Sequence, residues 1–310
     1  MRLIGIGECM VELSHDAGNR YTQGFAGDVF NTCYYYAALS PTACGATFVS
    51  ALGDDTFSDA LLDFCRQARV DAQCTREPGS ALGLYLIRRD ARGDRQFSYW
   101  RNAAPARRMI GNLSAAQRRA IESAGLLLLS GITLAILDDA QREALRRLVM
   151  NQRKHGGLLA FDPNYRPALW ESTDAARHWI DTFYALSDIA FPGLEDERVL
   201  FDVATPLDIL RRDPLAAVAE VVVKAGGDPV HGRAHGAIFR TLCAPVQHVV
   251  DTTAAGDAFN AAYLVARVRR LPPHLCAAYA ARVAAAVIGQ RGAIVAPDLL
   301  PELEERVNAE

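Results

Sequence analysis

The chain has 310 residues, half of them hydrophobic and 22% charged, with a formal net charge of −3. That length supports one large core or two small ones, and the balance is that of a globular protein. It provides no basic footprint for nucleic acid or an anionic membrane, and no stretch of about 18 apolar residues is free of charge, so neither a nucleic-acid partner nor a membrane span is expected.

Leu3 to Leu13 is apolar and β-rich and reads as one central strand, followed by a polar, turn-prone stretch over 14–25. A helix is expected over Asn31–Leu39, a strand over Thr47–Ala51 and a helix over Phe57–Ala68. Two short β-runs follow, Gly83–Arg89 and Gln96–Arg101, joined by a turn-like linker at 90–94. Beyond residue 110 strands and helices alternate: strands at 126–129, 158–161, 189–191 and 221–223, helices at 134–154, 173–186 and after Leu194. Two Ala-rich helices close the chain, near 256–269 and 273–288. This alternation predicts an α/β fold with a mostly parallel sheet covered by helices on both faces. The β-pieces at 10–25 and 83–103 do not fit it and read as a small appendage inserted in a single domain spanning 1–310.

The seven cysteines, Cys9, Cys33, Cys44, Cys65, Cys74, Cys243 and Cys276, are odd in number and show no C-x-x-C spacing. They read as reduced thiols packed as small hydrophobes, which points to the cytoplasm. The first residues carry Gly and Glu early and no small-residue cleavage site, so a buried strand is expected there rather than a signal segment. His231 and His235 are four apart, but Gly232 and Gly236 beside them favour exposed loop histidines over a metal-binding helix.

Asp251 to Tyr263 (DTTAAGDAFNAAY) is the segment richest in chemistry. A turn of small residues opens onto a helix whose first turn holds Asp257. Exposed N–H groups at such a terminus favour an anion, and a carboxylate beside them could take a proton from an attacking hydroxyl. Taken alone, the segment reads equally as a Gly-containing turn capped by Asp. Phe25–Asn31 (FAGDVFN) is a Gly turn before a helix, with Asp28 and Asn31 on its rim; Asp28 could present a polar group to a ligand or simply cap the helix. Phe161–Pro167 (FDPNYRP) follows a strand and places Asp162, Asn164 and Arg166 where parallel sheets bind ligands, though Arg166 could equally be a solvated loop residue. Tyr99 and Arg101 share one face of a strand at period two, with Tyr85 across the hairpin; a carboxylate-bearing ligand, a dimer surface or plain packing would each suit that face.

Together these segments resemble the ribokinase-like (PfkB) family of carbohydrate kinases, from Ile6–Ser14 (IGECMVELS) to Arg291–Pro297 (RGAIVAP), essentially end to end. The resemblance implies a three-layer ribokinase-like fold with a β-sheet lid. It implies Ala254, Ala255 and Gly256 as an anion hole and Asp257 as the catalytic base. Gly27, Asp28 and Asn31 then contact a sugar, although Ala26 replaces the first Gly of the family's Gly-Gly-Asp turn. Asn164, Lys224, Gly226 and Gly256 are expected on the nucleotide side. Asp196 is expected near Mg²⁺, although Gly193 stands where relatives carry Asn, and Asp251 near a monovalent cation such as K⁺. The 224–229 loop departs too, with Pro229 after Asp228. Within the family the motifs are most similar to the bacterial branch that phosphorylates the sugar acid 2-dehydro-3-deoxygluconate. The implied substrates are ATP and that acid, held under the lid by Tyr85, Tyr99, Arg101 and Arg166, with a homodimer formed through the lid. A hexose kinase such as a fructokinase, or a catalytically silent sugar-binding regulator, are the rivals. A Rossmann fingerprint fails because Met10 occupies its third glycine, and neither lysine follows a Gly as a P-loop requires.

Overall fold

In the computed structural model, which describes residues 1–16, 18–41, 45–89, 95–246 and 248–303, the apolar runs become strands buried on both faces. The strands are β1 (Leu3–Ile6), β2 (Met10–His15), β3 (Tyr21–Ala26), β4 (Ala46–Leu52), β5 (Val70–Arg76), β6 (Leu84–Arg89), β7 (Arg95–Trp100), β8 (Leu126–Ser130), β9 (Leu158–Asp162), β10 (Ile189–Ala190), β11 (Glu220–Val223), β12 (Val230–Ala234) and β13 (Ala237–Thr241). The helices are α1 (Asp28–Leu39), α2 (Thr56–Gln67), α3 (Ala115–Glu122), α4 (Gly131–Ala135), α5 (Asp139–Lys154), α6 (Thr173–Leu186), α7 (Leu194–Phe201), α8 (Pro206–Arg211), α9 (Ala255–Val268) and α10 (Pro273–Ile288).

The main sheet runs β13-β12-β11-β10-β9-β8-β1-β4-β5, parallel from β11 through β5, with β12 and β13 added antiparallel at one edge. Side chains alternate between two cores, as period two requires. Leu126 and Leu128 pack toward Phe30 and Tyr263, on the side of α1, α9 and α10. Leu127 and Leu129 pack toward Phe183 and Tyr184, on the side of α5 and α6. Strand order reverses at β1, so the carboxyl ends of β1, β8 and β9 open onto the crevice where parallel sheets bind ligands.

A second sheet, β3-β2-β6-β7, forms the lid, built from Met10–Ala26 and Leu84–Trp100. β2 and β6 pair in parallel at its centre. The linker expected to turn at 90–94 lies outside the described residues.

Three readings need correction. Leu3 to Leu13 is not one strand: it breaks after Ile6 and changes sheets through Gly7, Glu8 and Cys9. The chain passes so close to α1 there that a Cβ on Gly7 would lie 2.8 Å from Cβ of Val29. The helix expected over 134–154 is two, because Asp138 accepts from the N–H of Gln141 at 2.8 Å and caps a fresh start. His231 is a strand residue of β12, half-buried, while His235 sits in the following turn. Glycine at 232 suits that strand, since a Cβ there would collide with the ring of Phe239 across the hairpin. The six described cysteines are free thiols. Among the described residues no helix is long and apolar enough to cross a membrane.

Candidate active site

Helix α9 starts at a strained turn. Ala254, its N-cap residue, is held at φ +60°, a left-handed conformation that costs a non-glycine residue about 1–2 kcal/mol. Alanine has no side chain to cap the first turn, and among the described residues nothing accepts from the N–H groups of Gly256 and Asp257. These amides remain open to an anion, reinforced by the dipole of a 14-residue helix.

Asp257 lies in that first turn, reachable from solvent but with its carboxyl group sunk among protein atoms. Its Oδ2 accepts from Asn31 Nδ2 at 2.8 Å. Burial pushes its pKa up to about 7, assisted by the charges of Asp28 and Asp162 and opposed by the Asn31 hydrogen bond and Lys224. A carboxylate poised there suits proton abstraction at neutral pH.

Asn31 comes from α1, whose N-cap is Gly27 rather than Asp28. Glycine is required at 27 because a Cβ would sit 2.0 Å from the carbonyl oxygen of Glu8. Asp28, freed from capping, accepts from the N–H of Val29 at 2.8 Å and from Asn164 Nδ2 at 2.8 Å. Asn164, expected on the nucleotide side, is hydrogen-bonded to Asp28. The reason is local: a positive φ of 32° at Asn164 and a 3.1 Å bond from its N–H to Asp162 turn its amide toward α1.

At the carboxyl end of β9, Asp162 accepts from Lys224 Nζ at 2.5 Å and Asn260 Nδ2 at 2.6 Å. Arg166 stands half-exposed beyond it, its Nη1 3.8 Å from Asp196. The loop carrying Arg166 is anchored behind by Trp170, whose ring lies 5.0 Å from the guanidinium of Arg142. Arg142 is buried, donates to the carbonyl of Leu134 at 2.8 Å and pairs with Asp139 and Glu171.

The lid brings Tyr85 and Tyr99 into register, rings stacked with centroids 5.8 Å apart. The Tyr85 hydroxyl is donated to the buried carboxylate of Glu12, so the ring, not the hydroxyl, is what it offers a ligand. Arg101 was expected to share the Tyr99 face. It follows the last residue of β7, is only 6% exposed, and pairs with Glu8, itself buried. Its charge is therefore matched within the protein, because an unpaired guanidinium at that depth would be too costly. Tyr99 is 53% exposed and lies in the field of both Arg101 and Arg166.

A profile of the pfkB family carbohydrate kinases matches residues 2–299. The chain belongs to that family. The 2-dehydro-3-deoxygluconokinase of Escherichia coli strain K12 is 39% identical over 302 residues, covering 96% of this chain and 97% of the relative. A solved 2-dehydro-3-deoxygluconokinase from Thermotoga maritima superposes with a TM-score of 0.81 at 18% identity, covering 95% of this chain and 96% of that one. A fructokinase with bound ATP from Xylella fastidiosa superposes at 0.79 and 22% identity, covering 97% and 95%. At such identities the two structures speak for the shared fold.

As a PfkB kinase the chain has polar residues at its centre that motif reading passed over. Asn260 lies one helical turn beyond Asp257, a spacing that puts both on one face and was available from sequence. Glu8 had no such signal, since only the fold sets it beside Arg101. Gly226, with φ +62°, makes the turn after β11 that was expected to line the nucleotide. Asp251, expected to hold a monovalent cation, accepts from the N–H and hydroxyl of Thr253 at 2.9 and 2.6 Å and from the N–H of Gly292 at 3.2 Å. Its carboxylate ties the α9 turn to the loop after α10. Burial raises the pKa of Asp196 from its ordinary value, and its carboxylate accepts from the N–H of Tyr165 at 3.2 Å. Among the described residues no group of three or more His, Cys, Asp or Glu could hold a metal ion. Asp196, expected near Mg²⁺, could supply one carboxylate among phosphate and water ligands, the usual manner of that ion.

Proposed function

We propose that this kinase transfers the γ-phosphoryl group of ATP to the 6-hydroxyl of 2-dehydro-3-deoxy-D-gluconate, yielding ADP and the 6-phosphate. The observation that carries the chemistry is Asp257: a carboxylate with its pKa pushed up to about 7, in the first turn of a helix whose amides are open. The choice of acceptor rests on the 39% identical relative from Escherichia coli.

In this reading the sugar acid lies between the lid and α1. Asp28 and Asn31 face its hydroxyls, and the stacked rings of Tyr85 and Tyr99 cover its apolar edge. Arg166 and Arg101, whose charges both act on Tyr99, meet its carboxylate. Asp257 takes the proton from O6 as the O6–phosphorus bond forms and the bond to the ADP oxygen breaks. The N–H groups of Gly256 and Asp257, with Ala254 and Ala255 shaping the turn, face the oxygens of the moving phosphoryl group and stabilise the charge that develops there. Mg²⁺, held by Asp196 together with phosphate and water oxygens, would supply charge neutralisation along the triphosphate. Lid closure would exclude water and limit ATP hydrolysis.

A coupled ADP-release assay over keto-deoxy sugar acids and hexoses tests the reading. Turnover confined to the keto-deoxy acid supports it; turnover with hexoses alone would make the chain a hexose kinase, and binding without turnover would make it a regulator. The reading includes a homodimer. β7 is an edge strand with Phe97, Tyr99 and Trp100 exposed at 43, 53 and 61%, a surface prone to strand pairing with a second lid. A monomeric sedimentation coefficient at micromolar concentration would remove that part. The free thiols suit a reducing compartment, and we place the enzyme in the cytoplasm.

A further inference from the structure

We infer that Glu8 is a positioning residue for the acid group of the substrate: ionised, it holds the Arg101 guanidinium at the base of the lid, and when a ligand carboxylate engages that guanidinium Glu8 takes up a proton from solvent. This deepens the sugar-acid reading above and rests on it.

Glu8 lies where the chain leaves β1 for β2, passing from the main sheet to the lid. It is packed from two sides. A Cβ on Gly27 would stand 2.0 Å from its carbonyl oxygen, and a Cβ on Gly83, just before β6, would stand 3.2 Å from its Oε1. The carboxyl group is therefore fixed between the turn that carries Asp28 and the strand that carries Tyr85. Arg101 reaches it from the end of β7, and the two side chains are 2% and 6% exposed.

This pair is supported unlike the other buried carboxylates of the protein. Asp162 accepts from the amide of Asn260 and the N–H of Asn164, and Asp251 from the N–H groups of Thr253 and Gly292. Beyond the ion pair, among the described residues, neither oxygen of Glu8 receives a hydrogen bond and Nε of Arg101 has no acceptor. The anionic form of Glu8 thus leans on one guanidinium. Burial raises the pKa of Glu8; Arg101 opposes that most, then Arg107, while Asp28 adds to it. The neighbouring Cys9 is kept a neutral thiol by its own burial.

Arg101 also acts on Tyr99, the exposed ring of the proposed sugar-acid surface. A ligand carboxylate seated there sets two anions on a guanidinium already committed to one. Two carboxylates sharing a buried site do not both stay ionised at little cost, so the one without other donors protonates. The proton comes from solvent and binds a Glu8 oxygen, and no other bond changes. In the complex the pKa of Glu8 then stands higher than in the free protein. Between those two values binding takes up a proton, so affinity for the acid falls as pH rises through that window.

Calorimetric titration of the sugar acid without ATP, in buffers of different ionisation heat across the neutral range, tests this. Asp257→Asn serves as the background, which removes the titrating carboxylate of the α9 turn. Uptake approaching about one proton per sugar acid is expected, with Kd rising by up to about tenfold per pH unit. The neutral analogue, its carboxylate reduced to a primary alcohol, should bind without uptake. Adding Glu8→Gln should abolish uptake with the acid and flatten its pH dependence. Uptake that is absent with the acid, equal with the neutral analogue, or retained in Glu8→Gln overturns the inference. If Glu8→Gln does not fold, the contrast between acid and analogue on intact Glu8 decides. Failure of the acid to bind at any pH would instead remove the sugar-acid reading beneath it.

Discussion

The α9 end of the cleft and the lid end are built differently. Around α9, Asn31 is hydrogen-bonded to Asp257, and Asp162, Asn260 and Lys224 are hydrogen-bonded to one another. At the lid, Tyr99 and Trp100 stand in solvent, and the buried Arg101 pairs with Glu8. The groups proposed for the chemistry are already hydrogen-bonded in place, whereas the aromatic groups proposed for recognition face solvent. Such a division is what transition-state stabilisation favours, because a fixed charge costs no reorganisation at the moment of transfer.

If the division is real, substitutions should sort by end. The largest effect belongs to Asp257→Asn, which should lower kcat by about 10³–10⁴-fold through loss of the base. The same change should stabilise the fold at pH 8. The folded-state pKa of Asp257 is raised from 3.8 to about 7, so between those values the folded protein holds a proton that the unfolded chain has lost. Stability contributed by this group therefore falls as pH rises through that window, and asparagine removes the loss. A melting temperature higher by roughly 2–4 °C at pH 8, and unchanged near pH 4, would be the signature in calorimetry.

Asn31→Leu comes next. It deletes the hydrogen bond that stabilises ionised Asp257. The acid limb of the kcat/KM profile, which should lie near pH 7 in the wild type, should then move upward, with rates at pH 7 down by about tenfold or more. An unmoved limb would separate Asn31 from the base. Arg142→Met tests the support beneath Arg166. Loss of the Trp170 contact and of the bond to Leu134 should lower stability by about 1–3 kcal/mol and raise the sugar-acid KM more than it lowers kcat. Thermal melts and steady-state kinetics read both. The smallest effect belongs to Tyr99→Ala: KM should rise by roughly 3–10-fold with kcat little changed, because ring stacking at an exposed site is worth about 0.5–1.5 kcal/mol. A kcat collapse in this variant would contradict the division between the two ends.

Legibility in the sequence followed the same line. The parallel sheet, its flanking helices and the α9 turn could be read because each is a local pattern: apolar runs of strand length, helix-period stretches, small residues before an Asp. Two long-range facts could not. The break after Ile6 depends on how closely the chain passes α1. The inward turn of Arg101 depends on Glu8, more than ninety residues away in sequence and set beside it only by the lid. The bond from Asn164 to Asp28 was hidden for a similar reason, since that partner lies on another element.

By itself the amino-acid order determined the α/β class and the family, and it singled out Asp257 as the carboxylate proposed for the base, because periodicity and short motifs act over a few residues of backbone. The tertiary structure alone decided which charges are spent inside the protein and which remain for a ligand. Burial and ion pairing depend on the dielectric and on partners that distant segments bring together, and neither is written in any local stretch of chain.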